Sequence, residues 1–315
     1  MSALTRLGID PSTLVIPQNY SEGQEQTKST FGYKWSRRDT YESTPFQETK
    51  RNWLIERYCA NVPSRVDEWL SGDRKIILDA GCGACFSAVL LFGEHLKNHD
   101  YLGVDISTAM QVAKQRFKER GYPGDFLQAS LMDLPFIPDE SIDLVFSEGV
   151  LMCTDSTQAA IKYLSTKLKK GGRFLFYVYA KKAVVREFTD DYVRQELSKL
   201  SDEDAWEALK PLTKLGIALG ELDVEINVPE DIPLLGIKKG KLDLQRFFYW
   251  NICKAYYRPE FSLEEMNHIN FDWFRPLNCD RHTPEEIEQY CKDASLSIEH
   301  IDIQDAGITV VAQKI

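Results

Sequence analysis

The sequence predicts a doubly wound α/β domain. Short apolar runs, each long enough for one buried strand, alternate with helix-length segments, and the first two runs end in an acid. A strand of a parallel sheet is buried on both faces, so it reads as a continuous apolar run. Lys75-Ile76-Ile77-Leu78-Asp79-Ala80-Gly81-Cys82-Gly83 is the clearest case, a strand that ends in Asp79 and breaks into a glycine turn. Glycine reaches positive φ and has no Cβ, which lets backbone approach a nucleotide-like ligand. The turn therefore puts a site at the C-terminal edge of the first strand. Phe86–Leu96 is long enough for one helix, and Tyr101-Leu102-Gly103-Val104-Asp105 is a second strand ending in an acid. At this spacing a carboxylate can accept hydrogen bonds from the two hydroxyls of a ribose, which makes Asp105 the candidate. Gly124–Ser130 leads into Leu131–Phe136, Ser141–Ser147 is the fourth run, and Lys169–Arg173 introduces the fifth, Phe174–Tyr179.

These elements, in this order, make residues 75–180 resemble the core of a class I S-adenosylmethionine-dependent methyltransferase of the small-molecule type. The resemblance implies S-adenosyl-L-methionine as cofactor, with the glycine loop against its methionine part and Asp105 on its ribose. It places Ser130 and Leu131 beside the adenine and turns Ser147 and Glu148 toward the methyl group. Carried over position by position, the implied cofactor set is Asp79, Gly81, Cys82, Gly83, Asp105, Ile106, Ser130, Leu131, Ser147 and Glu148. Three positions depart from the family pattern. Cys85 stands where a third glycine is expected, Ser130 where an acid is common, and Met152 or Cys153 where a histidine often lies. A nicotinamide dehydrogenase shares the glycine turn and the ribose acid, but its G-x-G-x-x-G fingerprint would need a glycine where Phe86 stands.

Composition narrows the partners. The 48 acids against 38 Lys and Arg leave a net charge of -10, which repels a polyanion, so nucleic acid is not expected as substrate. Ser147-Glu148-Gly149-Val150 also replaces the Asn/Asp-Pro-Pro-aromatic run of the nucleic-acid amino methyltransferases. Neither a membrane-length apolar window nor a signal-peptide plan is present, giving an expectation of no membrane partner and a cytoplasmic location. Seven scattered cysteines argue for a reducing compartment. Cys82 and Cys85 have C-x-x-C spacing but lie inside the glycine turn, where small side chains beside a cofactor are the simpler reading, and no metal site is expected. Convergence of Cys85, Cys153 and Cys279 on a metalloid substrate stays open, as does the oligomeric state.

The chain is expected to divide into an N-terminal arm and lid helix (1–69), a Rossmann-like cofactor-binding core (70–180), a helical cap or substrate insertion (181–282), and a C-terminal helix and hairpin (283–315) that complete a seven-stranded sheet. Residues 1 to about 30 read as polar and irregular, mobile until they dock. Phe46–Trp69 has helical periodicity, and Phe31, Tyr33 and Trp35 are candidates for an aromatic lid or for anchoring the arm. In the insertion, Ser201 and Ser262 read as helix caps, and Leu244, Phe248, Ile252 and Ala255 mark one helix face. Thr283 and Pro284 read as a cap and first helical residue. Just before them, His282 is the candidate general base, since its ordinary pKa suits proton removal at neutral pH. Tyr33, Asp272, Asn278 and Arg281 are the candidate substrate residues. The expected reaction is methyl transfer to a hydroxyl of a small molecule such as a sugar or polyketide. The alternatives are transfer to a small amine, a cofactor-binding scaffold without turnover, and methylation of a thiol or metalloid.

Overall fold

The computed structural model describes residues 2–315. In chain order the elements are α1 (Ala3–Arg6), α2 (Glu22–Ser36), α3 (Thr44–Cys59), α4 (Arg65–Trp69), β1 (Ile76–Ala80), α5 (Phe86–Phe92), β2 (Asp100–Asp105), α6 (Met110–Arg120) and β3 (Asp125–Gln128). There follow β4 (Ile142–Glu148), α7 (Thr157–Lys167), β5 (Leu168–Tyr179), α8 (Val184–Leu197), α9 (Asp202–Glu221), β6 (Glu225–Val228), β7 (Gly240–Asp243), α10 (Leu244–Asn251), α11 (Leu263–Phe274), α12 (Pro284–Asp293), β8 (Leu296–Ile303) and β9 (Gly307–Lys314). They form two compact units. One comprises Met1–Ser36, Glu48–Ala180 and Asn278–Ile315, the other Arg37–Gln47 and Lys181–Leu277.

The first unit is built on a seven-stranded sheet of order β3-β2-β1-β4-β5-β9-β8. Strands β1 to β5 are parallel, and β9 runs antiparallel between β5 and β8. The doubly wound α/β prediction and its closing hairpin are therefore both present. Strand order reverses between β2-β1 and β4, which opens a crevice at the C-terminal ends of β1 and β4, where ligands of such sheets bind. Strands β1 and β2 are buried at every residue, as their unbroken apolar runs require.

Two N-terminal expectations fail. The segment read as irregular forms α1 and α2 and is docked. Ala3, Leu4 and Leu7 join the core, the Leu4 N–H donates to Asp125 (2.8 Å), and Arg6 pairs with buried Asp100 (2.6 Å). The single helix expected over Phe46–Trp69 is two, because Ala60 and Asn61 adopt positive φ (48° and 62°) and end α3. Likewise the first core helix stops at Phe92, where Gly93 takes a φ of 51°, and a 3-10 turn continues to Lys97.

The second unit is mainly helical. Ser201 accepts from the Asp204 N–H, and Ser262 and Glu265 form a reciprocal capping box, as their sequence positions predict. Helix α10 ends at Asn251, short of Ile252 and Ala255, whose carbonyl instead accepts from buried Gln245 (2.6 Å). The antiparallel β6-β7 hairpin was not foreseen; only four residues pair on each strand, too few for an alternating pattern to stand out. Thr40 hydrogen-bonds His268 (2.8 Å) and Ser43 donates to Glu265, which ties Arg37–Gln47 to α11.

Candidate active site

The glycine turn after β1 is held from below. The N–H groups of Gly81 and Cys82 donate to the Val104 carbonyl (2.8 and 3.0 Å), so the loop is pinned to β2. Gly81 has a φ of 82°, and a Cβ there would lie 2.2 Å from Val150. A valine at position 81 would therefore damage the fold itself as well as exclude a ligand. The third family glycine is replaced by Cys85, which holds the left-handed conformation (φ 55°) without being glycine. Cys85 is buried, and its sulfur lies 3.1 Å from the Tyr101 hydroxyl. Tyr101 in turn donates to Asp79.

Asp105 closes the turn from the β2 side. Its carboxylate accepts from Gly83 N–H on Oδ2 (2.7 Å) and from Ser107 N–H and hydroxyl on Oδ1 (2.8 and 2.6 Å). A carboxylate offers about four lone-pair directions, so these bonds leave one, on Oδ2, for a ribose hydroxyl. Burial raises the Asp105 pKa, while the bonds from Ser107 and Gly83 and the charge of Lys34 act against it. Ile106 follows, its carbonyl fixed by Gln128 (3.1 Å). Buried Ser130 takes the Met132 N–H on its hydroxyl (3.2 Å), which shapes the turn that also carries buried Leu131.

Asp79 is almost wholly buried, and desolvation raises its pKa to about 7; Tyr101 lowers it, and the charges of Asp105 and Glu148 raise it further. Its protonated form is thus favoured in the folded chain. Asp79 contributes its full stabilisation below the ordinary carboxylate pKa of 3.8 and loses it as pH rises through about 7. A cationic ligand beside it would favour the ionised form instead.

Ser147 and Glu148 have their side chains engaged by partners within the chain. The Ser147 hydroxyl donates to the Ala80 carbonyl (2.8 Å), tying β4 to β1. Glu148 faces α3: Oε1 accepts from Arg57 (2.7 Å) and Lys50 (3.1 Å), and Oε2 from Tyr58 (2.7 Å). Burial alone would raise its pKa, but the charges of Arg57 and Lys50 and the bonds from Tyr58 and Arg57 outweigh it and hold Glu148 at about 2. It is an ionised anchor for three donors, and by the same count one acceptor direction remains on Oε2.

Residues missed in the sequence come from α2. Its buried positions are Gln24, Thr27, Thr30 and Lys34, a polar stripe at helical spacing. Gln24 reaches Ser130 (3.5 Å) and Thr27 reaches the Cys153 carbonyl (3.5 Å). Lys34 is buried, with its ammonium 4.0 Å from the Trp35 ring. A Cβ on Gly83 would lie 2.6 Å from Trp35, and one on Gly32 3.0 Å from Thr108, so α2 lies directly on the glycine loop. The 3-3-4 spacing of these residues was the available signal, but a search for apolar periodicity passes over it. Tyr33 sits half-buried on the same helix.

The loop before α12 does return to the β4 side. Asp280 N–H donates to the Met152 carbonyl (2.9 Å), and Asn278 donates to Asp155 (3.0 Å). Arg281, half-buried, belongs to this loop, whereas Asp272 lies on α11 in the other unit. His282 is buried, with Nε2 3.0 Å from the Thr157 hydroxyl, its N–H on the Tyr179 carbonyl (2.9 Å) and its ring against Tyr290. This geometry describes a tie between α7, β5 and α12 more than an exposed base. His282→Ala is accordingly expected to cost about 1 kcal/mol of stability, seen as a lowered melting temperature, with turnover held within about tenfold. A loss beyond about 100-fold in a folded variant would restore the base role. The seven cysteines are free and buried, and among the described residues no group of three His, Cys, Asp or Glu side chains is placed to hold a metal.

Residues 78–176, from the middle of β1 into β5, match the methyltransferase domain family. The match spans 99 of the chain's 315 residues. Among solved structures, the chain is similar to magnesium protoporphyrin IX methyltransferase from Synechocystis PCC 6803 with bound SAM (13% identity, 95% of this chain and 100% of that one, TM-score 0.49). It is also similar to geranyl diphosphate C-methyltransferase from Streptomyces coelicolor A3(2) (12%, 95% and 100%, TM-score 0.47) and to a SAM-dependent methyltransferase from Aquifex aeolicus (12%, 84% and 93%, TM-score 0.42). No curated protein matches the chain by sequence. Among the described residues no helix is long and apolar enough to cross a membrane.

The residues present fit a cationic adenosyl cofactor. Asp105 keeps one acceptor direction beside the turn, and Asp79, buried at the end of β1, is a carboxylate whose ionised form a positive ligand would favour. Affinity for S-adenosylmethionine is therefore expected to rise about tenfold between pH 6 and pH 8 as Asp79 ionises. Calorimetry across that range checks it, and Asp79→Asn should flatten the profile.

Proposed function

We propose that this enzyme transfers the methyl group of S-adenosylmethionine to a hydroxyl of a small molecule. When bound, the cofactor supplies an electrophilic methyl group on a positively charged sulfur that is a good leaving group. The chain contributes alignment of the acceptor and exclusion of water, and proton removal is the smaller term. The observation that carries the reading is the pinned turn at the C-terminal edge of β1, with Asp105 bonded to Gly83 and Ser107 and with α2 lying on it. In this reading Asp79, Gly81, Cys82, Gly83, Asp105, Ile106, Ser130 and Leu131 hold the cofactor, and Lys34 and Gln24 are added to them. Asn278 and Arg281 face the acceptor, with Tyr33 on the helix above the turn.

The β4 end is compatible with oxygen as the acceptor atom. Glu148 is held ionised by Arg57 and Lys50 with both oxygens engaged, so a clamped carboxylate stands where a strong base would otherwise serve. An acceptor whose own hydroxyl is acidic needs little help to lose its proton. The net charge of -10 supports a small acceptor over a polyanion. Incubating the full chain with S-adenosylmethionine and matched panels of phenols, sugars and amines, with mass spectrometry of the products, tests this directly. Methylated hydroxyl compounds are the expected products, and products from amines alone would overturn the choice of oxygen.

A further inference from the structure

The helical unit contains a cationic cluster that the cofactor turn does not use. The ammonium groups of Lys182 and Lys254 lie 5.5 and 4.9 Å from the centroid of the Trp273 ring, and the guanidinium of Arg186 lies 5.3 Å from it. Arg186 is also 4.6 Å from the Tyr249 ring and 5.4 Å from that of Trp250. Three cations converge on one indole in a chain whose acids outnumber its bases. Such a concentration needs negative charge nearby.

The carboxylates that bear on the cluster are heavily used. Asp190, wholly buried, accepts from Trp273 Nε1 (2.7 Å) and Arg186 Nε (3.1 Å) on Oδ2 and from the Lys254 N–H (3.2 Å) on Oδ1. Glu187 accepts from the backbone N–H of Lys182 (2.6 Å). Arg186 is 1% exposed, and among the described residues its Nη1 has no hydrogen-bond acceptor. A buried guanidinium N–H without an acceptor is costly, and it marks a direction in which an acceptor fits. Lys182 is the half-buried member of the cluster, Arg186 and Lys254 being buried. Burial first, then the charges of Arg186 and Lys254, lower its pKa to about 7 against the opposing pull of Glu187 and Asp190.

We propose that Lys182, Arg186 and Lys254 form a binding site for the oxyanion, a carboxylate or a phosphate, of a small-molecule ligand. An oxyanion here gives Arg186 Nη1 its acceptor and relieves the repulsion among the three cations. The indole and phenol walls exclude water, which strengthens each charge-assisted bond.

Lys182 reports on the site. With the full chain near neutral pH, acetylation by an N-hydroxysuccinimide ester, followed by peptide mass spectrometry, should label Lys182 about tenfold faster than exposed lysines, because more of its amine is neutral. Inorganic phosphate or benzoate, compared with chloride at equal ionic strength, should slow that labelling about fivefold or more. Protection by phosphate alone assigns a phosphate, and by benzoate alone a carboxylate. Arg186→Gln should remove the protection. Since Arg186 is buried, Lys254→Met, which retains the packing stem, provides a second variant, checked for folding by circular dichroism. No protection by either anion, or protection that persists in folded Lys254→Met, would overturn the site. Calorimetry of S-adenosylmethionine on the same preparation separates the readings, since cofactor binding without anion protection removes only the oxyanion site.

Discussion

Glu148→Gln is expected to destabilise the first unit by about 3–5 kcal/mol, the range for removing one partner of a buried ion pair. The cause is Arg57, which is wholly buried and gives Glu148 Oε1 a 2.7 Å bond while its guanidinium lies 3.5 Å from the Trp53 ring and 4.1 Å from that of Tyr177. Without the carboxylate, that charge stays in the interior with Lys50 beside it. The same network makes a pH prediction. The folded pKa of Glu148 is lowered from 4.5 to about 2, so its stabilisation is fully present above pH 4.5 and is lost as pH falls toward 2. A shift of that size corresponds to roughly 3 kcal/mol. Denaturant titrations should show the wild type weakening over this acid range and Glu148→Gln weakening much less. Replacing Glu148 and Arg57 together by Leu and Met should cost less than the sum of the single changes, because no charge is then stranded. If Glu148→Gln kept wild-type stability but lost turnover, the carboxylate would belong to the chemistry and the anchor reading would fail.

Asp105→Asn is expected to weaken S-adenosylmethionine binding about 10- to 100-fold, the worth of roughly 1.5–3 kcal/mol for one hydrogen bond to a charged group. The size follows from the arithmetic at the carboxylate, where Gly83 and Ser107 take three of its acceptor directions and leave one on Oδ2. The amide also points N–H groups at donors that need an acceptor, so the loop loosens with the loss of the ligand bond. Asp105→Ala should be as weak or weaker.

The parts of the fold legible in the sequence are those set by local patterns. Burial on both faces wrote β1 and β2 as unbroken apolar runs, and Ser201, Ser262 and Thr283 announce their helices because an orphan N–H needs an oxygen at that spacing. Asp79, the glycine turn and Asp105 were legible for the same reason. What was not legible depends on partners distant in sequence. Gln24, Thr27, Thr30 and Lys34 form the buried face of α2, and such a polar face resembles a solvated one until Ser130, Cys153 and the Gly83 turn are known to lie beneath it. Ser147 and Glu148 were placed at the right strand end, but only the structure shows Ala80 and Arg57 taking up their side chains. His282 stands beside a cap, and Thr157, which makes it a tie, is more than a hundred residues away in the chain.

The central claim is that the turn between β1 and α5, closed by Asp105, is the cofactor site of a methyltransferase. Calorimetric titration of S-adenosylmethionine into the wild-type chain and into Asp105→Asn tests it most directly. The account predicts one binding site in the wild type and a 10- to 100-fold weaker one in a variant that remains folded by circular dichroism. Equal affinity in the two folded proteins, or no binding by the wild type, would contradict it.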